Sequence, residues 1–281
     1  MGSSTWTTSC YNAVLTSRGF DTKDVILDCS TSTQEVFSST HMKETMNVRD
    51  KVRECCETEE HPNTIPIIIG LDVTGSMNNA CKSCLAGIND TIVKLYENYK
   101  DVEIAVAGIG DFVYDHSPFQ LSQFESDVRI ADNLFDIFIE NGGGFNNWES
   151  YTAAWYAGLY HTRLDCWNRG QKGIIITMGD ELLNPALPKE VIQQVFGDVE
   201  QDDVDTQELY DKICEKYEVY HISITDKSTY SRRANKIDNS WGQVIGDHYK
   251  KSTCEDLSKT ICEIVDDAIG TVNSNNEEIS W

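Results

Sequence analysis

Short apolar segments alternate with longer amphipathic segments along most of this chain. Nearly continuous apolar runs over residues 65–71, 102–109, 172–177 and 218–224 predict strands that are buried on both faces of a sheet. Apolar residues at helical spacing predict helices over 78–99, 127–141, 149–164, 188–196, 206–216, 230–239 and 253–270, and a short edge strand is expected at 241–245. From residue 65 onward the chain therefore alternates strands with helices.

Alternation of this kind predicts the α/β class, as a Rossmann-like, doubly wound and mostly parallel sheet flanked by helices. Ligand sites of such folds lie beyond the carboxyl ends of the strands. Polar loops begin at the ends of three predicted strands, near Asp72, Asp111 and Thr177. The sequence therefore predicts that oxygen-bearing side chains gather at one edge of the sheet.

Composition divides the chain into three parts. Residues 1–60 are polar and rich in Ser and Thr, and they predict an N-terminal extension with short elements. Residues 61–270 contain the predicted strands and form the main domain, and residues 271–281 predict a polar, frayed C-terminal tail. With 281 residues, of which 40% are apolar, the chain is long enough to bury a sizeable core.

The loop after the first predicted strand carries oxygen-bearing side chains at alternate positions, Asp72, Thr74 and Ser76. Hard oxygen ligands of this kind suit a hard divalent cation such as Mg²⁺. They suit a catalytic nucleophile less well, because no histidine lies nearby in the sequence to activate a hydroxyl. Each of the three residues is also a favoured helix N-cap, so the loop can alternatively be interpreted as the start of the next helix.

The stretch Leu-Asp-Val-Thr-Gly-Ser-Met at residues 71–77 resembles the metal-ion-dependent adhesion site of von Willebrand factor A domains. That family writes the loop as Asp-x-Ser-x-Ser between a hydrophobic first strand and the first helix. Thr74 replaces one serine and keeps its hydroxyl. With the lead-in Glu-His-Pro-Asn-Thr and a later Gly-Asp-Glu, the resemblance covers residues 61–270 and is to a bacterial and phage group of the family. It implies the von Willebrand factor A fold.

The resemblance also implies that two further loops supply metal ligands. In the second loop, residues 142–150, Asn146 is the candidate ligand, although it is also a residue type that serves tight turns. Glu149 either caps the following helix or holds Asn146 in place. In the third loop Met178 stands where the family has an aspartate. Asp180 is therefore the candidate ligand and Glu181 the second choice, unless Asp180 is an ordinary loop carboxylate.

By the same resemblance, the expected function is that of a non-enzymatic protein-binding module. Its metal, Mg²⁺ or else Mn²⁺ or Ca²⁺, would be held by Asp72, Thr74, Ser76, Asn146 and Asp180. One coordination position would stay open for a carboxylate of a protein partner. The sequence has no Walker-type glycine loop, so intrinsic ATPase activity is not expected. A separate ATPase is a further partner that the resemblance implies by analogy.

Two other functions stay open at this point. One is a structural component of a phage or bacterial assembly, with a weak or vestigial metal site. The other is a Mg²⁺-dependent hydrolase of the haloacid-dehalogenase type. Such an enzyme places a nucleophilic aspartate after its first strand and requires a second aspartate two positions later. Thr74 occupies that position, which argues against the hydrolase.

The charge of the chain argues against two kinds of partner. With 46 acidic and 23 basic residues the net charge is −23, so the surface repels both nucleic-acid phosphates and anionic membranes. The sequence shows no apolar run near the roughly 20 residues that a membrane span requires. It also shows no secretion signal at the N-terminus. We therefore expect a cytoplasmic protein, in a bacterial host or encoded by a phage.

The ten cysteines are expected to be free thiols, because disulfides are rare in the cytoplasm. Cys81-Lys-Ser-Cys84 has the spacing of a CxxC motif and falls where the helix after the metal loop begins. We interpret this pair as buried core thiols. A redox pair and a metal site are the alternatives.

Overall fold

The computed structural model describes residues 6–140 and 148–277, with the backbone alone for 271–277. Its α-helices are α1 (Thr8–Ser17), α2 (Lys23–Leu27), α3 (Thr33–Val36), α4 (Asn78–Asn98), α5 (Arg129–Phe135), α6 (Tyr151–Tyr160), α7 (Lys189–Val195), α8 (Thr206–Ile213), α9 (Ser228–Ile245) and α10 (Leu257–Glu277). Its strands are β1 (Arg53–Cys55), β2 (Ile65–Asp72), β3 (Val102–Ile109), β4 (Phe119–Leu121), β5 (Thr162–Leu164), β6 (Gly173–Gly179), β7 (Ala186–Leu187), β8 (Val204–Asp205), β9 (Tyr217–Ile224) and β10 (Tyr249–Ser252).

Six of the strands form one sheet in the order β10, β9, β6, β2, β3, β4. Neighbouring strands are parallel except for β3 and β4, which are antiparallel. β2 is an interior strand, in which Ile67 pairs with Ile174 of β6 and with Ile104 of β3. The four strands predicted from apolar runs are present as β2, β3, β6 and β9. The α/β class, with a mostly parallel sheet between helices, is confirmed.

Both faces of the sheet are covered, which explains why the strands are apolar at successive positions. Ile67 and Ile69 of β2 pack into a core that includes residues of α1, α4, α5 and α10. Ile68, which points the other way, packs into a core formed with residues of α6, α7, α8 and α9. Side chains of a strand alternate between the two faces, so a single run of isoleucines supplies both cores.

The N-terminal segment packs against the main domain of its own chain. In α1 the phenol of Tyr11 donates a 3.1 Å hydrogen bond to the carbonyl of Leu85 in α4. Farther along, the carbonyl of Met46 accepts a 2.9 Å hydrogen bond from the backbone N–H of Leu121 in β4. β1 then pairs with β5 in parallel. The segment thereby covers the outer edge of β4, which would otherwise be an exposed strand edge.

Two predicted helices are shorter than expected. The helix expected over 127–141 is α5, which ends at Phe135. Beyond it, the side-chain amide of Gln120 in β4 forms two hydrogen bonds with the backbone of Phe138. It accepts one from the N–H at 3.0 Å and donates one to the carbonyl at 2.8 Å. The helix expected over 149–164 is α6, which ends at Tyr160, because the next residues form β5. In both places, contacts with residues distant in the sequence end the helix earlier than the local pattern predicts.

The predicted edge strand at 241–245 is wrong. α9 runs without interruption to Ile245 and buries Tyr230, Ile237, Trp241 and Ile245 on one side. The spacing of four residues from Ile237 to Trp241 and on to Ile245 is helical, so Trp241 and Ile245 extend the buried apolar face of the helix. The edge strand is β10, a few residues later.

The C-terminal helix α10 extends to Glu277, so residues 271–277, expected in the polar tail, continue it. Among the helices that the structure describes, none combines the length and the apolar character that crossing a membrane requires.

Candidate functional site

Three loops meet at the carboxyl edge of the sheet. β2 lies between β6 and β3, so the loops that follow these three parallel strands are neighbours. The structure brings together four of the predicted ligands at this edge: Asp72, Thr74, Ser76 and Asp180. The fifth, Asn146, lies outside the described residues, so its role stays a prediction.

The loop after β2 is organised around the carboxylate of Asp72, which is fully buried. Asp72 Oδ1 accepts hydrogen bonds from the backbone N–H of Thr74 at 2.9 Å and from its hydroxyl at 2.6 Å. The hydroxyl of Ser76 donates a 2.8 Å hydrogen bond to Asp180 Oδ1 in the loop after β6. The first and third predicted ligand loops are therefore in direct contact.

The geometry of this loop does not support the helix-cap interpretation. Residues Gly75–Met77 form a 3₁₀ turn that leads into α4 at Asn78. No side chain of the loop donates to or accepts from the first turn of α4 as a cap, and Thr74 uses its hydroxyl on Asp72 instead. The alternating oxygens are therefore turned toward the loop interior rather than toward the helix.

A third segment, residues 148–150, reaches the same edge. The backbone N–H of Ser150 donates a 2.9 Å hydrogen bond to the carbonyl of Gly110, in the loop after β3. On its other side Trp148 forms a parallel bridge with Leu182, in the loop after β6. Glu149 is held between these two contacts and is 6% exposed. A fourth acidic side chain, Asp111, is also buried at this edge and accepts from the backbone N–H of Val113 at 2.7 Å.

Tyr151, the first residue of α6, contacts the candidate metal loop directly. Its phenol donates a 2.7 Å hydrogen bond to Asp72 Oδ2. The sequence pattern does not distinguish this residue, because α6 is apolar almost all round and nothing in the pattern indicates which of its tyrosines faces the site. The nearest signal was its position directly after the glycine-rich loop.

Burial raises the pKa values of the carboxylates at this edge. For Asp72 burial, together with the charge of Asp180, raises the pKa to about 7. Burial also raises the pKa of Asp180, although the hydrogen bond from Ser76 opposes the shift. Burial and the neighbouring charge of Asp72 raise the pKa of Glu149 to about 11. Ionisation of each of these carboxyl groups is therefore less favourable in the folded protein than in water, and a nearby cation would favour it.

Three carboxylates at this edge lack an ion-pair partner among the described residues. Asp72, Glu149 and Asp180 form no ion pair with Lys or Arg in that part of the chain. For Asp180 burial raises the pKa and outweighs the hydroxyl of Thr229 and the more distant charge of Lys227, which lower it. Within the same part of the chain Asp180 Oδ2 and Glu149 Oε2 are buried and have no hydrogen-bond partner. Buried polar atoms are rarely left unpaired in proteins, so both oxygens are available to a cation.

Glu181, the second choice for the third loop, is engaged elsewhere. Its carboxylate pairs with Arg233 of α9 at 3.0 Å, and burial raises its pKa to about 7 in spite of that arginine. Asp180 is the better placed of the two, since it already contacts Ser76 and keeps an unpaired oxygen.

In the described part of the chain, no group of three or more His, Cys, Asp or Glu side chains has the arrangement of a metal centre. That finding does not argue against the candidate site. Two of its predicted ligands are the hydroxyls of Thr74 and Ser76, which do not belong to those residue types. Oxygens of hydroxyls and carboxylates are ligands that Mg²⁺, Mn²⁺ and Ca²⁺ accept. The donor set therefore fits a hard divalent cation.

The cysteines are free thiols, as expected. Cys81 and Cys84 are both buried in α4, and Cys81 donates a 3.2 Å hydrogen bond from its thiol to the carbonyl of Asp72. Burial raises the pKa of the Cys84 thiol to about 12. Both features agree with core thiols and argue against a reactive redox pair, whose thiols have low pKa values and are accessible.

Large apolar side chains are exposed beside the site. Val113 and Tyr114 follow β3 and are 68% and 49% exposed, and Trp148 is 41% exposed. We call these three residues the apolar rim. Val113 and Tyr114 follow the buried Asp111 in the sequence, and Trp148 precedes the buried Glu149.

No protein-family model and no curated protein matches this chain. Among solved structures, the pilus adhesin SpaC from Lactobacillus rhamnosus GG, in an open conformation, is 13% identical with a TM-score of 0.47, over 78% of this chain and 31% of that one. Proximal thread matrix protein 1 from the mussel byssus is 12% identical with a TM-score of 0.48, over 77% of this chain and 49% of that one. The chain spans about a third to a half of the length of these two structures.

Proposed function

We propose that this protein is a non-enzymatic, divalent-metal-dependent protein-binding module with the von Willebrand factor A architecture. The hydroxyls of Thr74 and Ser76 and the carboxylates of Asp72 and Asp180 would hold the metal at the carboxyl edge of the sheet. When bound, the ion would offer a coordination position to an acidic side chain of a partner protein. The cation of choice is Mg²⁺, with Mn²⁺ or Ca²⁺ as substitutes.

The buried carboxylates without an ion-pair partner are the observation that carries the proposal. Removing an ionised carboxylate from water costs several kcal/mol unless a nearby positive charge offsets it. Asp72, Glu149 and Asp180 lie together at one edge, and no Lys or Arg forms an ion pair with them in the part of the chain that the structure describes. A divalent ion would supply the missing charge and would bind the unpaired oxygen of Asp180.

The same contacts argue against a nucleophilic role for Asp72. Both of its oxygens accept hydrogen bonds, Oδ1 from Thr74 and Oδ2 from Tyr151. The residue two positions later is a threonine whose hydroxyl donates to Asp72, and it cannot act as the acid and base that a phosphoryl-transfer aspartate needs. These contacts favour binding over hydrolysis.

The apolar rim would add contact area around the metal. Interfaces commonly place aromatic and apolar groups at their centre, where they exclude water from the polar contacts. Val113, Tyr114 and Trp148 are exposed beside the buried carboxylates. A partner would therefore carry an acidic residue with apolar neighbours.

Selection from a displayed library of random peptides tests this function without knowledge of the natural partner. Peptides are captured on the immobilised protein in Mg²⁺ and eluted with a chelator. We expect the eluted pool to be enriched in Asp or Glu, and the same selection on Asp72→Ala to yield no such enrichment. Peptides that stay bound after chelation, or an eluted pool without acidic residues, would contradict the proposal.

A further inference from the structure

We infer that Tyr151 is a positioning residue of the metal site, whose hydroxyl fixes the carboxylate of Asp72 in the orientation that the metal loop requires. The inference rests on the proposed function, since it assigns a role within that site. It starts from the 2.7 Å hydrogen bond that the Tyr151 phenol donates to Asp72 Oδ2. A hydrogen bond to an ionised acceptor is stronger than one between neutral groups.

The ring of Tyr151 is held in place by other aromatic rings. It is fully buried, and its ring meets that of His221 at 5.0 Å and that of Trp241 at 5.3 Å, both edge to face. His221 is itself stacked on Trp241 with ring centroids 3.5 Å apart. These edge-to-face contacts, made by a ring that is fully buried, restrict the rotation of the tyrosine ring. The hydroxyl therefore has a fixed position beside Asp72.

A glycine in the third loop makes room for this hydroxyl. A Cβ atom placed on Gly179, the last residue of β6, would lie 1.8 Å from the Tyr151 oxygen. Any other residue at position 179 would displace the phenol from Asp72. Tyr151 and Gly179 are therefore one structural unit, formed by residues far apart in the sequence.

The alternation of side chains along β6 explains why residue 178, a methionine, is not a ligand. In β6 Ile174, Ile176 and Met178 point into the core beside α4 and α10, whereas Thr177 hydrogen-bonds His221 on the other side of the sheet. Position 178 is therefore buried away from Tyr151. The first carboxylate that reaches the site is Asp180, just beyond the space that the phenol occupies.

Together the hydrogen bonds leave Asp72 little freedom to rotate. Thr74 provides two donors to Oδ1 and Tyr151 provides one to Oδ2. Groups that orient a metal ligand typically change metal affinity by about 10- to 100-fold when they are removed. Loss of the Tyr151 hydroxyl alone is therefore expected to weaken metal binding by that factor, with every ligand still present.

The test compares Tyr151→Phe with Tyr217→Phe. Tyr217 is also fully buried, and its hydroxyl shares a 2.7 Å hydrogen bond with Thr162, which follows the carboxyl end of α6, so the control loses an equivalent hydroxyl away from the site. Binding of Mn²⁺ is measured by calorimetry, and the coordination of bound Mn²⁺ by its electron paramagnetic resonance line shape. We expect about 10- to 100-fold weaker binding and an altered line shape for Tyr151→Phe alone.

The outcomes separate this inference from the proposed function. If the wild type binds no Mn²⁺ at millimolar concentration, the proposed function fails and this inference fails with it. If the wild type binds Mn²⁺ and Tyr151→Phe binds it equally well with the same line shape, only the role of Tyr151 is overturned.

A measurement on the wild type decides the question if the variant does not fold. In protein labelled with ¹³C at the Cζ atoms of tyrosine, Mg²⁺ is expected to shift the resonance of Tyr151 and to leave that of Tyr217 unchanged. A Tyr151 resonance that is unaffected at saturating Mg²⁺ would overturn the inference.

Discussion

The hydroxyl of Ser76 donates a 2.8 Å hydrogen bond to Asp180 Oδ1, across 104 positions of the sequence. The contact joins the loop after β2 to the loop after β6, because these strands are neighbours in the sheet. In the proposed site both residues would bind the same ion. The contact therefore brings two predicted ligands from separate parts of the chain into reach of one cation.

Removal of the Ser76 hydroxyl separates metal binding from folding. We expect Ser76→Ala to weaken Mn²⁺ binding by about tenfold or more, since an oxygen ligand and the partner of Asp180 are lost together. The free energy of unfolding without metal should fall by only about 1 kcal/mol, the usual net contribution of one hydrogen bond. Calorimetric titration and denaturant unfolding measure the two quantities.

Ser17→Ala is the matched control for this variant. Ser17 is an exposed residue of α1 whose hydroxyl donates to the carbonyl of Val14. Its replacement should leave Mn²⁺ affinity unchanged. Equal Mn²⁺ affinities of Ser76→Ala and Ser17→Ala would exclude Ser76 as a ligand.

Stability without metal should fall as the pH rises. The folded protein raises the pKa of Asp72 from its ordinary value of 3.8 to about 7, so the folded state binds this proton more tightly than the unfolded state does. The stabilisation is fully present below 3.8 and is lost as the pH rises through about 7. Within that window the free energy of unfolding should fall by up to about 1.4 kcal/mol per pH unit for this group.

Denaturant unfolding in a chelator at several pH values measures this slope. Asp72→Asn should make it less steep, because the amide has no proton to lose. A smaller slope should remain, since burial also raises the pKa values of Glu149 and Glu181. Saturating Mg²⁺ should also make the wild-type slope less steep, since the ion favours the ionised carboxylate. A wild-type slope that equals that of Asp72→Asn would show that Asp72 is not the group responsible.

The fit between Gly179 and Tyr151 predicts a large effect of one methyl group. Gly179→Ala places a Cβ 1.8 Å from the Tyr151 oxygen, so the tyrosine must move within a packed core. Overpacking of this kind typically costs about 1–3 kcal/mol in the free energy of unfolding. Thermal and denaturant unfolding measure the loss.

Gly242→Ala provides the comparison. Gly242 lies within α9, and a Cβ added there would have no neighbour within 4 Å. Alanine should stabilise the helix by up to about 1 kcal/mol. If both substitutions had the same effect on unfolding, the close approach of Tyr151 to residue 179 would be refuted.

Thiol accessibility tests the assignment of the CxxC motif. Cys10 and Cys29 are exposed, whereas Cys81 and Cys84 are buried. A maleimide reagent should modify the exposed pair rapidly and the buried pair only after unfolding, because burial both blocks access and raises the pKa of these thiols. Peptide mass spectrometry reports each site. Rapid modification of Cys81 and Cys84, or a disulfide between them, would favour a redox role.

The interior of the fold could be predicted from the sequence because each central strand is apolar on both faces. The run at 65–71 gave β2 almost residue for residue, and the run at 102–109 gave β3. Elements that depend on distant partners could not be predicted in this way. β5 interrupts a helical pattern only because β1 lies beside it, and Phe138 leaves the helix because Gln120 binds its backbone.

The candidate site likewise combines residues that a local sequence pattern identifies with a residue whose role depends on packing. The loop after β2 carries its chemistry in three residues that are close in sequence, so Asp72, Thr74 and Ser76 could be named together. Tyr151 lies in a helix without a polar face, and its contact with Asp72 depends on how α6 packs against the sheet. A one-dimensional pattern does not contain that information.

The most direct test of a metal at this site is an anomalous difference map from crystals grown with Mn²⁺. We expect a peak within ligand distance of Ser76 Oγ and of the Asp180 carboxylate. The peak should be absent from crystals of Asp72→Ala grown in the same way. A map of the wild-type protein without a peak beside Ser76, or with Mn²⁺ bound only elsewhere, would contradict the account.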